Sequence, residues 1–457
     1  MKKRIVILGA SLWLCLFLSG CSLASFDTKN LMAPPKANQD QQAIQALLQG
    51  NRLDITLVYP QSGEYRSAII MHDFTGDGEE DAIGFYSTEN TGAGGVEVQF
   101  LSKTEEGWES TAVFQNTALQ VDRVCFGTLS QSGRSLILIG WGSTTGSTGR
   151  TAAVNAYVYS LGGEITEYSL GPYAEMTLTD FDRDGVNEVF TVDKFLPAEV
   201  EGDEPTPAKA RVFTWSQGAM REAYSVDADN SISSYSAAVF GKLTPSLSGV
   251  ALDGVKADGS MTTQIFYTEG NTLKNAPEGV NTEEYGNPFQ RPSTASFPSR
   301  DLDGDGLLEL PVVSLLPGLP ETLSPDSTCY QVNWCHFQKN DLTLTLRAMM
   351  NPAENYWFRL PYYLNGKITS ANDAERRVVT YSEIIETSKK GEYLLGEPLF
   401  SIRVFTRSSW ESRGTSSGYE QLLAQNDSVY GIQTLTRDET MLRYIQQIKR
   451  DFKLLSE

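Results

Sequence analysis

The chain has 457 residues, and its 37 Lys and Arg against 57 Asp and Glu leave a formal net charge of −20. A surface of that sign repels phosphate backbones, which excludes nucleic acid as a partner and favours cations. Two histidines and five cysteines leave little of the usual acid–base repertoire and make no disulfide framework.

Lys2, Lys3 and Arg4 form a positive start, followed by an apolar run of 14 residues from Ile5 to Leu18. That run is too short to span a bilayer as a helix but has the length of a signal-peptide core. It ends in Leu18-Ser19-Gly20-Cys21, which resembles the lipobox of bacterial lipoproteins. The resemblance implies a signal peptide over 1–20, lipid on the Cys21 thiol, and attachment to the outer, extracytoplasmic face of a bacterial plasma membrane. Residues 22–37, with the pair Pro34-Pro35, suit an extended tether. Asn38 and Gln41 then resemble a capping box, and Ile44, Leu47 and Leu48 form one apolar stripe. The lipidated tether and a short helix thus occupy 21–50.

Three later segments share one pattern. The first runs Asp73-Phe-Thr75-Gly-Asp77-Gly78-Glu79-Glu-Asp81, the second Asp180-Phe-Asp182-Arg-Asp184-Gly185-Val186-Asn-Glu188, and the third Asp301-Leu-Asp303-Gly-Asp305-Gly306-Leu307-Leu-Glu309. Oxygen side chains at positions 1, 3, 5 and 9, with the carbonyl of position 7, can converge on one hard cation, and glycine at position 6 allows the sharp turn. An EF-hand loop begins the same way but needs a glutamate at position 12 and flanking helices. Position 12 here is Gly84, Thr191 or Val312, and the run after each loop is β-branched and aromatic, hence a strand.

The pattern instead resembles the integrin-type FG-GAP or VCBS repeat, whose calcium loop joins two strands of a propeller blade. The resemblance covers about residues 65–348. It implies two or three structural Ca²⁺ ions, with Asp73, Thr75, Asp77, Glu79 and Asp81 forming the weaker site because a hydroxyl replaces a carboxylate at position 3. Two segments fit a degraded version, Gly127-Thr128-Leu-Ser130-Gln-Ser132-Gly133 and Gly241-Lys242-Leu-Thr with Gly249. Starts at Asp73, Thr128, Asp180, Lys242 and Asp301 give intervals of 55, 52, 62 and 59 residues, the spacing of a blade-like unit.

The expected fold is therefore mainly β: a propeller of about five four-stranded blades over 51–349, with six or seven as the alternative. In the first repeat the strands read as 82–86, 96–102, 110–114 and 121–126. The strand Arg66–His72 is expected to complete the last blade near 342–348 and so remove an exposed sheet edge. Residues 350–457 read as a small α+β domain, with Phe358–Thr369, Arg377–Ser382 and Pro398–Thr406 as strands. A final helix is capped by Thr436 and Glu439 and presents Leu442, Ile445, Ile448 and Phe452 on one face.

Cys125, Cys329 and Cys335 read as buried small hydrophobes. The last two lie six residues apart on one strand, about 20 Å, too far to bridge. His72 and His336 read as structural. The mature chain has no nucleotide loop, GxSxG elbow or HExxH, so no catalytic residue is assigned. The expected function is a non-catalytic binding or scaffold protein with a protein or glycan ligand. The alternative is a glycan-active lyase or hydrolase working through paired carboxylates. Candidate recognition loops are Trp141–Arg150 and Tyr285–Arg300, with Tyr285, Phe289, Arg291 and Arg300.

Overall fold

The computed structural model describes residues 39–455 apart from 51–54, 89–94, 130–133, 143–151, 161, 199–202, 277–279, 292–296, 319–328, 388, 390–391 and 414–415. The signal-like segment, Cys21, the tether and Asn38 lie outside the described residues.

Apolar and β-branched runs form strands in six antiparallel sheets. In the first, β1 (Ile55–Leu57) and β2 (Ile69–His72) both pair with β3 (Asp81–Thr88), which leads to β4 (Val96–Thr104) and β5 (Gly107–Asn116). The second runs β6 (Gln120–Thr128), β7 (Ser135–Gly142), β8 (Ala152–Tyr159), β9 (Ile165–Tyr173). The third runs β10 (Glu175–Thr179), β11 (Glu188–Val192), β12 (Lys209–Ser216), β13 (Ala219–Asp227). The fourth runs β14 (Ile232–Thr244), β15 (Leu247–Lys256), β16 (Met261–Glu269), β17 (Thr272–Ala276). The fifth holds β18 (Glu309–Leu315), β19 (Tyr330–Phe337), β20 (Leu342–Asn351) and β21 (Tyr356–Arg359), so its strands pass residue 349.

The sixth sheet is built from β22 (Ile368–Asp373), β23 (Val378–Glu386), β24 (Tyr393–Thr406), β25 (Glu420–Gln425) and β26 (Ser428–Thr434). The two-residue β27 (Lys453–Leu454) at the chain's end returns to pair with β21. Among the described residues three α-helices accompany the sheets, α1 (Gln39–Gln49), α2 (Arg407–Arg413) and α3 (Glu439–Asp451), with a 3-10 turn over Tyr362–Leu364.

The first five sheets pack face to face in chain order. Ile83, Phe85 and Val98 of the first sheet meet Ile137, Ile139 and Tyr157 of the second. Leu136 and Leu138 meet Val189 and Phe213 of the third, Phe190 and Val212 meet Val250 and Phe266 of the fourth, and Ala251 and Ile265 meet Leu310 and Cys335 of the fifth. Strands such as β3 and β11 are therefore buried on both faces, which is why they read as unbroken apolar runs. The free face of the first sheet is covered by α1, whose Ile44 and Leu48 pack on Ala82, Tyr86 and Leu101. Gly84 permits that approach, since a Cβ there would stand 2.6 Å from Leu48 Cδ2. Beyond the fifth sheet, Tyr356 and Phe358 share one core with Tyr381, Phe400, Ile445 and Ile448.

Two strand assignments from the sequence are corrected. Residues 121–126 belong to β6, which opens the second sheet. Residues 69–72 pair with β3 of their own repeat and not near 342–348. A short loop most readily joins neighbouring antiparallel strands; the acidic loops accordingly join β2 to β3, β10 to β11, and the Arg300 bridge to β18. The first four sheets are thus each offset by one strand from the sequence-based cut. The fifth sheet takes its first contact from Arg300, bridged to Glu309, and its last from β27. The α3 cap is also shifted: Asp438 accepts from the amides of Thr440 and Met441, and Met441, not Leu442, joins Ile445 and Ile448 in the core.

Candidate metal centres

The three acidic loops occupy corresponding places, after β2, after β10 and after Arg300. Each turns through left-handed backbone at position 6, with φ of 91°, 83° and 84° at Gly78, Gly185 and Gly306. Position 4 is left-handed too, filled by Gly76, Gly304 and, at φ 63°, Arg183. A left-handed non-glycine residue costs about 1 kcal/mol. Arg183 offsets that by donating to the Pro245 carbonyl at 2.8 Å, in the turn between β14 and β15, and to Ser248 Oγ at 3.0 Å, in β15.

The position-9 carboxylate organises each loop. Asp81 Oδ2 accepts from the amides of Phe74 and Thr75, Glu188 Oε2 from Phe181 and Glu309 Oε2 from Leu302. The position-1 carboxylate faces it from the loop's start: Gly78 N donates to Asp73, Gly185 N to Asp180 and Gly306 N to Asp301. In the third loop, oxygens of Asp301, Asp303, Asp305 and Glu309 all lie within 4.8 Å of one another, and in the second those of Asp180, Asp182 and Glu188 do. Asp184 accepts from Val186 N at 2.7 Å. In the first loop, Thr75 Oγ1 lies 3.5 Å from Asp73 Oδ1 and Asp77 accepts from Glu79 N. Its carboxylates do not gather as closely as those of the other two among the described residues.

The electrostatics fit a cation. Burial, reinforced by the neighbouring aspartates, pushes the Glu188 and Glu309 carboxyls up to about 7, against the donated amides of Phe181 and Leu302. Burial also raises Asp81, whose side chain is fully enclosed. Asp81 Oδ1 and Asp180 Oδ1 are shut from solvent with no hydrogen-bond partner among the described residues. A buried carboxylate oxygen without a donor is costly, and a divalent ion would supply the missing partner.

The loops also join sheets. Asn187, at position 8 of the second loop, donates its amide to the Thr128 carbonyl at 2.8 Å and accepts from Thr128 N through Oδ1 at 2.7 Å. At the same position of the third loop, Leu308 donates its amide to the Lys242 carbonyl at 2.7 Å. Thr128 and Lys242 begin the two degraded repeats, so these turns brace the acidic loops of the following sheets. No local pattern signals this bracing, because it runs between segments about 60 residues apart.

The histidines differ. His72 stacks on Phe126 at 3.7 Å, and burial lowers its pKa against the pull of Asp73 and Asp81. His336 brings Nε2 to 3.1 Å from Glu309 Oε1, a contact missed from sequence because it depends on strand register. Cys125, Cys329 and Cys335 are free thiols; the last two are buried and Cys125 is half-buried.

Of the candidate recognition loops, 143–151 lies outside the described residues, and Trp141 is buried in β7. Arg291 is an internal anchor instead of a surface contact. Its guanidinium bonds Asp253, Thr263 and the Phe297 carbonyl, with both ionic partners fully enclosed. A separate cleft of about 470 Å³ is lined by residues 62–65, Arg123 and Cys125 of β6, Glu175 and Thr177 of β10, and Ser236 of β14. There Arg123 forms an ion pair with Glu175, and Asp122 accepts from Tyr173 Oη and from Ser62 Oγ at 2.9 Å.

No family model matches the sequence, and no curated protein matches it. Among solved structures, the chain is similar to a rhamnogalacturonan lyase of Bacillus licheniformis at 13% identity and a TM-score of 0.31, over 77% of this chain and 82% of that one.

Proposed function

We propose that this chain is a lipid-anchored, extracytoplasmic calcium-binding β-propeller protein that works as a non-catalytic binding or scaffold module. The observation that carries the reading is the recurrence of one acidic loop in sheets one, three and five, each with an enclosed carboxylate at position 9. Oxygen-only donors in flexible turns suit calcium. The propeller is supported by five sheets stacked face to face in chain order. It is supported too by the convergence of β6, β10 and β14 on one cleft, where first strands of successive blades would meet. The anchor rests on Lys2–Cys21. Among the described residues, the carboxylates pushed upward are Asp81, Glu188 and Glu309, all within the loops, which favours binding over carboxylate catalysis. The cleft is where a protein or glycan ligand would dock.

The test is calorimetric melting of the full chain stripped of divalent ions, with and without millimolar calcium. Extracellular calcium modules bind with Kd near 10⁻⁴–10⁻³ M, and free calcium at about ten times Kd adds roughly 1.4 kcal/mol per site, or about 4 kcal/mol for three. Asp303→Ala removes about one site's share of the gain. Identical melting curves with no calcium bound by titration calorimetry would overturn the reading.

A further inference from the structure

The third loop has a neighbour that the other two lack. Glu309 at position 9 faces His336 directly across the β18–β19 ladder. In the first and third sheets that place falls to Ser102 and Thr214, one step beyond the pairs Ala82–Leu101 and Val189–Phe213. His72 pairs with Asp81 from the other side, on β2, but its ring stacks on Phe126. Among the described residues, only the third loop therefore gathers an imidazole nitrogen with its carboxylates. His336 is 8% exposed and Glu309 fully buried. His336 Nε2 lies 3.1 Å from Glu309 Oε1 and 3.6 Å from Asp305 Oδ2.

Those separations have a chemical meaning. A first-row divalent ion holds nitrogen and oxygen donors at about 2.1 Å, which sets adjacent donors roughly 3.0 Å apart in an octahedron and roughly 3.4 Å apart in a tetrahedron. The imidazole nitrogen stands at nearly that spacing from each of the two carboxylate oxygens, and all three donors lie within 4.8 Å of one another. Calcium draws little from a nitrogen donor, whereas imidazole suits zinc and its neighbours.

We infer that the third loop and His336 together form a mixed oxygen–nitrogen site that takes a first-row transition ion of the zinc class in preference to calcium. This rests on reading the loops as cation sites, and the oxygen-only second loop serves as its control inside the same molecule. Glu309, Asp305 and His336 Nε2 are the three donors of that site, and Asp305 and Glu309 are shared with the acidic group that also holds Asp301 and Asp303.

The experiment uses the full chain without a histidine tag, in detergent and stripped of metal, titrated with Zn²⁺ in the presence of calcium. One site is expected to bind zinc at least about tenfold more tightly than the rest. His336→Asn should raise the zinc-to-calcium Kd ratio at that site by at least about 10–100-fold, the cost of disturbing even the outer-shell partners of a metal-bound imidazole. The chain has two histidines, so ¹⁵N-histidine NMR of the wild type gives a second readout that does not depend on the variant folding. Zinc should shift the His336 Nε2 resonance and leave His72 unmoved. An unmoved His336 resonance, or an unchanged Kd ratio in the variant, while calcium still binds, overturns this inference and leaves the calcium reading intact. A His336 shift with zinc but no calcium bound at any loop supports this inference and removes the calcium reading. Failure of both ions to bind overturns both.

Discussion

Consider the metal-free protein carried from pH 5 to pH 8. Glu188 and Glu309 titrate near 7 in the folded chain against an ordinary value of 4.5, because burial disfavours the charged form. A carboxyl whose folded value is raised contributes stability that is fully present below about 4.5 and is lost as pH rises through 7. The displacement is worth at most about 3 kcal/mol per group. Loop relaxation reduces that to about 2 kcal/mol, so the pair loses about 4 kcal/mol across the interval. For a chain of this length the unfolding entropy makes 1 kcal/mol worth roughly 1 °C, so the metal-free melting temperature should fall by about 4 °C. Calcium binds the ionised carboxylates, so protons compete with it at pH 5 and not at pH 8. The gap between calcium-loaded and metal-free melting temperatures should therefore widen with pH by several degrees. The assay is scanning calorimetry at half-unit pH steps on protein stripped with a chelating resin, since soluble chelators change their own calcium affinity with pH. The double variant Glu188→Gln, Glu309→Gln should remove most of the widening, with the buried Asp81 of the first loop holding the remainder. A gap that stays constant or narrows as pH rises would refute the reasoning.

Three other outcomes are expected. Arg291→Met leaves the fully enclosed Asp253 carboxylate without its cation and should cost about 3–5 kcal/mol in denaturant unfolding, with Asp253→Leu in the same chain recovering most of it; an unchanged midpoint would mean the pair is not the anchor described. Gly84→Ala drives a methyl group into Leu48 and should destabilise by about 1–3 kcal/mol. It should also speed hydrogen exchange in α1 more than in β11, and equal exchange in both would contradict the docking of α1. Cys21→Ser should abolish incorporation of labelled palmitate, and wild-type chain that takes up no label would refute the lipid anchor.

The acidic loops were legible because their chemistry is local. Ligand types at fixed offsets, a glycine at the turn and a following apolar run all lie within about fourteen residues. Strands such as β3 and β11 were legible because burial on both faces leaves unbroken apolar runs. The phase of each sheet was not legible. A spacing of 52 to 62 residues sets the length of a repeat but not the strand at which hydrogen bonding begins. The closing strand expected of Arg66–His72 failed for that reason, and no sequence pattern distinguishes β27, two residues long, as the strand that ends the fifth sheet. His336 was hidden because its contact depends on register between β18 and β19, which are joined by a long connection. Arg291 looked like a recognition residue because buried arginine is rare, and its partner Asp253 lies 38 residues away.

The braces between acidic loops and neighbouring turns bear on how the chain comes apart. Among the described residues the apolar faces of the five sheets meet in chain order, so cooperativity is set largely by the coupling at each junction. The second loop reaches both ways, to Thr128 behind and to Pro245 and Ser248 ahead. The third reaches back to Lys242. The junctions from the second sheet through the fifth are thus fastened by polar contacts made from inside acidic loops, whereas the segment before β2 reaches the second sheet through Gln61 and Ser62, which bond Val121 and Asp122 outside any acidic loop. An ion in the second or third loop would act as a rivet through adjoining units. Fraying should then begin at the first sheet and stop at the second junction, giving a molecule with a yielding N-terminal end and a stiff body beyond it.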